Sequence, residues 1–226
     1  MLYEAKSVPE VATSLSLESL AAASSAVASS LAAGRPLPIA LRDAGSRIAD
    51  RRLTAAFSKV AMDIESDVPL YAALESAGEV LGRLYVETVT VDGGRGEGFR
   101  AAARGLEWAA RLRAFRDRYD GAGKPDDSAK RSAEYLELLV VVAAAVEVGV
   151  PATIALAAAG RASSSLPCLW AQRAARCIED HLGWEEAMIG VPADISPGLR
   201  EATRLDGQFE ATVNEVTERF LRRASP

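Results

Sequence analysis

The sequence predicts an all-α fold made of two tandem antiparallel six-helix bundles that are related by internal duplication. Three features predict this fold: a composition rich in helix-forming residues, a block of residues that recurs at a fixed distance, and one linker near the middle of the chain. Alanine, leucine, glutamate and arginine dominate the composition, and all four favour helices. Hydrophobic residues make up 49% of the 226 residues, which is enough to build cores of this size.

Glycine and proline divide the chain into parts. The segment from Asp120 to Asp127 contains two glycines, one proline and three aspartates, a composition typical of a linker. We therefore expect a first bundle over residues 16–120, a linker over residues 121–127 and a second bundle over residues 128–226. Residues 1–15, which contain one proline, are expected to form a flexible arm.

Seven residues near the start of the first half recur 115 positions later in the second half. A constant offset over a block of this length indicates a duplicated structural unit. The matching pairs are Gly34 and Gly149, Pro36 and Pro151, Ile39 and Ile154, Ala40 and Ala155, Leu41 and Leu156, Ala44 and Ala159, and Gly45 and Gly160.

The glycines and prolines of this block predict helix ends. Gly34 and Gly149 each follow an apolar stretch, at the point where a helix C-cap needs a left-handed residue. Pro36 and Pro151 come two residues later, where a new helix can begin without their missing amide donor. Each half therefore opens with a helical hairpin. Helices are expected near residues 17–33, 37–48, 52–66, 69–76, 79–91 and 98–119, and near residues 129–148, 152–161, 167–181, 183–188, 196–206 and 208–223.

Three motifs carry a family resemblance. They are Leu31–Leu41 with its glycine and proline, Pro69–Leu74, and the pairs Gly98–Phe99 and Gln208–Phe209 at the start of the last helix of each half. Together they resemble the cytoplasmic F-domain of the inner-membrane platform proteins of type II secretion systems and type IV pili. The resemblance covers residues 17–119 and 132–223, and platform proteins also carry two copies of the domain. It implies six-helix antiparallel bundles without catalysis that dock other components of the machine, including the motor ATPase.

Two features depart from that family. Its members carry transmembrane helices after each copy, whereas a short polar linker follows the first copy here, so we do not expect an ordinary membrane platform. A Gly-Glu pair that is usual before the last helix is replaced by Gly93–Gly94 and Thr203–Arg204. No contact made by that glutamate is therefore carried over to this chain.

The sequence offers little catalytic or metal-binding chemistry, and we expect no catalytic residue, no metal and no cofactor. The single histidine, His181, follows a helix end, where a structural role is the favoured interpretation. Cys168 and Cys177 are nine residues apart on one predicted helix and so face opposite sides, which excludes a disulfide between them and fits a reducing cytoplasm. The glycine-rich segment Gly93–Gly98 is expected to be an interhelical turn, with a phosphate site as the alternative.

Two groups of carboxylates stand out. We expect them to be solvated helix faces, with a cation site as the alternative. The groups are Glu179, Asp180, Glu185 and Glu186 in one segment, and Glu134 and Glu137 in the other.

The last helix of the first half carries an apolar stripe in addition to its core positions. The stripe consists of Trp108, Leu112, Phe115 and Tyr119. We favour packing of the stripe inside its own bundle or against the second half; a surface for a partner or a dimer is the alternative. Basic residues on the same helix could meet an acidic partner, and they include Arg100, Arg104 and Arg111.

The function expected from these features is that of a scaffold or adaptor that acts by protein–protein contact. The resemblance suggests secretion or pilus motor components as partners, and a homodimer remains open. A net charge of −5 argues against nucleic acid, and the longest apolar run, Leu138–Val146, is too short to span a membrane. We expect a cytoplasmic location. The alternative is a regulatory helical protein that binds a small ligand in a bundle groove, with an enzyme as a third option.

Overall fold

The computed structural model of the protein describes residues 16–121, 127–202 and 209–224, and these residues form thirteen helices and no strands. The prediction of an all-α fold is thereby confirmed. The predicted arm, residues 1–15, and most of the predicted linker lie outside the described residues. The helices of the first half are α1 (Leu17–Ala32), α2 (Leu37–Ser46), α3 (Arg51–Glu65), α4 (Leu70–Glu75), α5 (Gly78–Leu81), α6 (Arg83–Thr90) and α7 (Glu97–Gly121). Those of the second half are α8 (Asp127–Glu147), α9 (Ala152–Gly160), α10 (Leu166–Glu179), α11 (Gly183–Ala187), α12 (Ser196–Ala202) and α13 (Phe209–Ala224).

The described first half contains seven helices where six were predicted. The helix expected over residues 79–91 is divided into α5 and α6 at Gly82. Gly82 has a φ of 82°, a left-handed conformation that no α-helix can continue through. A lone glycine inside a helical pattern does not reveal from sequence whether it will adopt that conformation.

Two glycines end helices at equivalent points of the two halves. Gly34 follows α1 with a φ of 78°, and Gly149 follows α8 with a φ of 100°. At each position the glycine amide donates a hydrogen bond to the carbonyl three residues earlier, at 2.9 Å and 3.0 Å. Pro36 and Pro151 then immediately precede α2 and α9. The helical hairpins predicted from these residues are present.

Asp67 and His181 are the two non-glycine residues with positive φ in the described chain, at 62° and 58°. Asp67 follows α3 and His181 follows α10, and each of these is the third helix of its half. The amide of Val68 donates a hydrogen bond of 3.0 Å to the carbonyl of Asp63, and the amide of Leu182 donates one of 2.9 Å to the carbonyl of Cys177. This is the Schellman arrangement, in which one left-handed residue satisfies the last carbonyls of a helix. His181 therefore lies at a backbone turn, past the end of α10.

The helices enclose two hydrophobic cores. The first core is formed by α1 to α6 and the N-terminal part of α7, which contributes Phe99 and Leu106. The second core is formed by α8 to α13 and the C-terminal part of α7, which contributes Leu112 and Phe115. One helix of 25 residues, roughly 37 Å long, therefore belongs to both cores.

Helix α7 lies between α1 and α8, and its contact with α8 is very close at Gly105. A Cβ atom at Gly105 would lie only 3.0 Å from the Cβ of Ala144 and 3.1 Å from the carbonyl oxygen of Val140. Helix α8 runs antiparallel to α7 and packs on its other side against α13. The glycine thus allows the two helix backbones to approach where the halves meet.

Gly98 provides a test of the α6–α7 packing. Its Cβ would lie 2.3 Å from the carbonyl oxygen of Thr88 and 2.8 Å from the Cα of Val89. We expect Gly98→Ala to lower the free energy of unfolding by about 1–3 kcal/mol, because the backbone of α6 would have to move. Gly78→Ala is the matched control, since Gly78 lies in helix α5 with open space around it.

We expect Gly78→Ala to be neutral or to stabilise the protein by up to about 1 kcal/mol, through the lower entropy of the unfolded chain. Urea denaturation of both variants measures the difference. Equal effects of the two substitutions would contradict the close packing of α6 on α7.

Candidate binding cleft between the two cores

A cleft of ≈900 Å³ lies between the two cores. The start of α1, the α5–α6 segment, α7, α8 and the α9–α10 loop form its walls. Leu84 of α6 packs against the second core, so the two halves meet along one side of the cleft. The apolar side chains that line it include Leu20, Val80, Leu84, Leu106, Leu138 and Val141.

Four charged residues of α7 and α8 form a paired cluster in this cleft. Arg113 Nε donates to Glu137 Oε1 at 3.0 Å, and Arg116 Nη1 lies 3.3 Å from Glu137 Oε2 and 3.9 Å from Glu134 Oε1. The Glu137 side chain is only 15% exposed. The expectation of a solvated face is therefore wrong for Glu137, whereas Glu134 is 30% exposed beside Arg116. Their charges cross-link the two helices.

The opposite wall contains polar groups of the α9–α10 loop. Ser163 Oγ lies 2.9 Å from Ser165 Oγ and 3.3 Å from the thiol of Cys168. Arg161 in the loop and Glu79 on α5 both line the cleft, and neither forms an ion pair with a described residue. The cleft thus offers an apolar interior with two charged side chains of opposite sign, Arg161 and Glu79, that are not paired within the described part of the chain.

The apolar stripe of α7 is covered by the second half. Leu112 and Phe115 are 0% and 4% exposed, and the Phe115 ring meets that of Phe220 edge-on at 5.4 Å. Trp108 is half-buried against the same core, and the Tyr119 side chain lies outside the described residues. The alternative of a partner surface is therefore wrong for Leu112 and Phe115, because burial within the chain removes both from contact with a partner.

The arginines of α7 are also used within the chain. Arg104 donates two hydrogen bonds of 3.1 Å to Glu210 of α13, and this contact raises the pKa of Arg104 above its usual value. The guanidinium of Arg111 lies 4.2 Å from the centre of the Trp108 ring, a cation–π contact. Arg100 pairs with a glutamate one turn earlier on the same helix. Arg104 is therefore held by α13, whereas Arg100 and Arg111 remain exposed, and contact of these two with an acidic partner stays a prediction.

The glycine-rich turn before α7 is organised around Asp92. Its Oδ1 accepts hydrogen bonds from the amides of Gly94 and Arg95, and its Oδ2 accepts from the amides of Glu97 and Gly98. The backbone donors that a phosphate would need are thus occupied by a carboxylate of the chain itself. The interpretation as a turn fits this geometry. The aspartate directly before the glycines is the signal that could have revealed it.

The remaining predicted chemistry is dispersed. Cys168 and Cys177 are both buried and unpaired on α10. His181 follows the far end of that helix, roughly 20 Å along the helix axis from Cys168, so no thiol–imidazole pair forms at the cleft. Among the described residues, no three histidine, cysteine or acidic side chains come together as a metal site.

Comparison with protein-family models, with curated proteins and with solved structures finds no match to this chain. Across the described residues, no helix combines the length and the apolar character needed to cross a bilayer. The assignment of a function therefore depends on the geometry of the chain itself.

The burial of Phe115 can be tested by comparing its substitution with that of Trp108, another residue of the stripe. We expect Phe115→Ala to lower the free energy of unfolding by about 3–5 kcal/mol, because it leaves a cavity in the second core. Trp108→Ala should lower the free energy of unfolding by a smaller amount, since the Trp108 side chain is partly exposed to water. Denaturant unfolding gives both values, and sedimentation should show the same oligomeric state for both. A change of oligomeric state with little loss of stability for Phe115→Ala would contradict its placement.

Asp92 can be tested in the same way. Asp92→Ala removes the acceptor of four amides, and we expect it to lower the free energy of unfolding by about 1–3 kcal/mol. Asp50→Ala is the control, because Asp50 caps α3 by accepting from two amides. Its effect should be smaller. The order of the two thermal midpoints checks this, and an Asp92→Ala variant as stable as the parent would refute the role of the carboxylate.

Proposed function

We propose that the protein is a non-catalytic scaffold, in which a tandem pair of F-domain-like bundles holds a segment of a protein partner in the cleft between its two cores. The observation that carries this proposal is the cleft itself, with apolar walls on helices of both halves. Its frame is rigid, because α7 contributes to both cores and its charged cluster with α8 lies in the cleft.

Equivalent features of the two halves support the duplication. Gly34 and Gly149 end the first helices, and Asp67 and His181 end the third helix of each half with the same left-handed conformation. The cores agree as well, since Val27 and Val142, which are 115 residues apart, are both fully buried. Tandem copies of one small bundle are the arrangement that the resemblance to platform proteins implies.

An amphipathic helix is the partner segment that suits this cleft. Helix-in-groove recognition buries apolar residues on successive turns, and the cleft offers leucine and valine side chains along its length. Arg161 and Glu79 supply one charge of each sign for a partner. The resemblance suggests secretion or pilus motor components as the source of the segment, and the two unpaired cysteines favour a cytoplasmic location.

Regulation by a small amphipathic ligand is the second candidate, and the size of the cleft favours it. A volume of ≈900 Å³ falls within the range of pockets that bind small molecules. Apolar walls with a few polar groups suit such a ligand. The experiment must therefore separate a protein in the cleft from a small molecule.

Site-specific photo-crosslinking in the native host tests the proposal. A benzophenone amino acid is placed at Ala162, an exposed residue that lines the cleft, and at Ala55, an exposed residue of α3 away from it. We expect an adduct of protein size at Ala162 and none at Ala55. Val80→Trp, which narrows the cleft, should abolish the adduct.

The other outcomes decide against the proposal. A small molecule that co-purifies with the protein in native mass spectrometry, and is lost in Val80→Trp, would establish the ligand alternative. Equal adducts at both positions, or adducts that survive the narrowing, would show that the cleft does not hold a partner.

A further inference from the structure

We propose that the outer face of α10 is a second contact surface, which binds an acidic amphipathic helix of a partner protein. The surface, called here the α10 patch, consists of Leu166, Leu169, Arg173, Arg176 and Ile189. The proposal goes beyond the cleft and does not depend on what the cleft binds.

The apolar part of the α10 patch is strongly exposed. Leu166 and Leu169 are 61% and 50% exposed, and Ile189 is 48% exposed. Leu166, Leu169 and Arg173 follow one another at helical spacing, and Arg173 donates a hydrogen bond to the backbone carbonyl of Ile189. The opposite side of α10 already fills the second core, with Trp170 among its buried residues. The exposed leucines are therefore not needed for the core of their own half.

The first half shows that the fold does not require apolar residues here. Helices α3 and α10 correspond at an offset of 114, since the five buried residues of α3 then all fall on buried residues of α10. At that offset, the counterparts of the three aliphatic residues are Arg52, Ala55 and Glu75. All three are exposed in the structure. The second half thus carries large apolar side chains where the first half carries polar or small ones.

The two arginines of the α10 patch form no ion pair with a described residue. In the first half, Lys59 forms an ion pair of 2.7 Å with Asp63. The counterparts of these two residues are Arg173 and Cys177, so the carboxylate is missing from the second half. The Arg173 guanidinium instead meets backbone carbonyls. Arg176, one turn further along, is exposed and forms no ion pair with a described residue.

Three exposed aliphatic residues and two exposed arginines, which form no ion pair within the described part of the chain, define the chemistry of the occupant. It needs apolar side chains on one face and carboxylates at the margin, as in an acidic amphipathic helix. A second copy of this chain is disfavoured, because its own α10 patch would bring arginines against arginines. Glu179, Asp180 and Glu186 are exposed at the far end of α10 and on α11, so the carboxylates of the occupant must lie beside Arg173 and Arg176 and away from this end. An anionic membrane cannot be confined to one part of the surface in this way and is therefore disfavoured.

A binding experiment with defined probes tests the proposal. The probe is a fluorescein-labelled helical peptide of about 18 residues, with leucines on one face and glutamates at its margins. The control peptide carries lysines in place of the glutamates. We expect the acidic peptide to bind at least about 10-fold more tightly than the basic one, as measured by fluorescence anisotropy.

Matched variants locate the binding. The triple substitution Leu166→Arg, Leu169→Ala and Ile189→Glu introduces the residues of the first half, so it should leave the fold unchanged and abolish binding. Arg176→Glu, a single surface change, should lower the affinity for the acidic peptide by about 10-fold. This variant provides the test if the triple variant does not fold. Met62→Ala on α3 is the control, because Met62 is 57% exposed and lies outside the patch.

Each other outcome overturns the proposal. Equal affinity for the two peptides would contradict recognition by charge. Binding that survives both Arg176→Glu and the triple substitution would show that the α10 patch does not bind the peptide. Binding to vesicles of equal parts phosphatidylcholine and phosphatidylserine, without binding of the acidic peptide, would make the patch a membrane surface. A dimer that the triple substitution dissociates would make it a contact between copies. None of these measurements involves the cleft, so they leave the proposed function unaffected.

Discussion

The close contact of α7 with α8 at Gly105 is the constraint on which the rest of the structure depends. Because a Cβ atom there would lie 3.0 Å from that of Ala144, the two helix backbones can approach only where a side chain is absent. On either side of this point, α7 contributes Leu106 to the first core and Leu112 to the second. The halves therefore cannot separate without exposing one of these side chains. The cleft is the space that remains between two cores joined in this way.

Charges on α7 are used to hold this arrangement together. Arg113 and Arg116 bind glutamates of α8, and Arg104 binds Glu210 of α13 across a sequence separation of 106 residues. Truncating one member of such a partly buried pair leaves the other without compensation, which is costly. Arg176, which forms no ion pair with a described residue, lies at an exposed surface. The distribution of ion pairs thus separates structural positions from candidate binding positions.

Local signals in the sequence predicted the all-α fold, most helix positions and the caps at Gly34 and Gly149, because glycine alone tolerates a left-handed C-cap at little cost. Contacts between distant segments could not be predicted in the same way. The spacing of Leu112 and Phe115 indicates an apolar stripe but not which surface covers it, and the choice of the second half depends on the α7–α8 packing. The capping of four amides by Asp92 is a local contact, and the aspartate directly before the glycines is the sequence signal for it.

Differences between the two halves carry more functional information than their similarities. Positions at helix ends agree, as in the left-handed caps at Asp67 and His181, because α3 and α10 both end in the same type of turn. Outer positions have no such constraint, and there Arg52 and Ala55 of α3 correspond to Leu166 and Leu169 of α10. Large apolar side chains in water favour association, so a fold that is stable with polar residues at these positions gains nothing from them unless they are covered. Their presence in one copy alone is therefore best explained by a partner that contacts that copy.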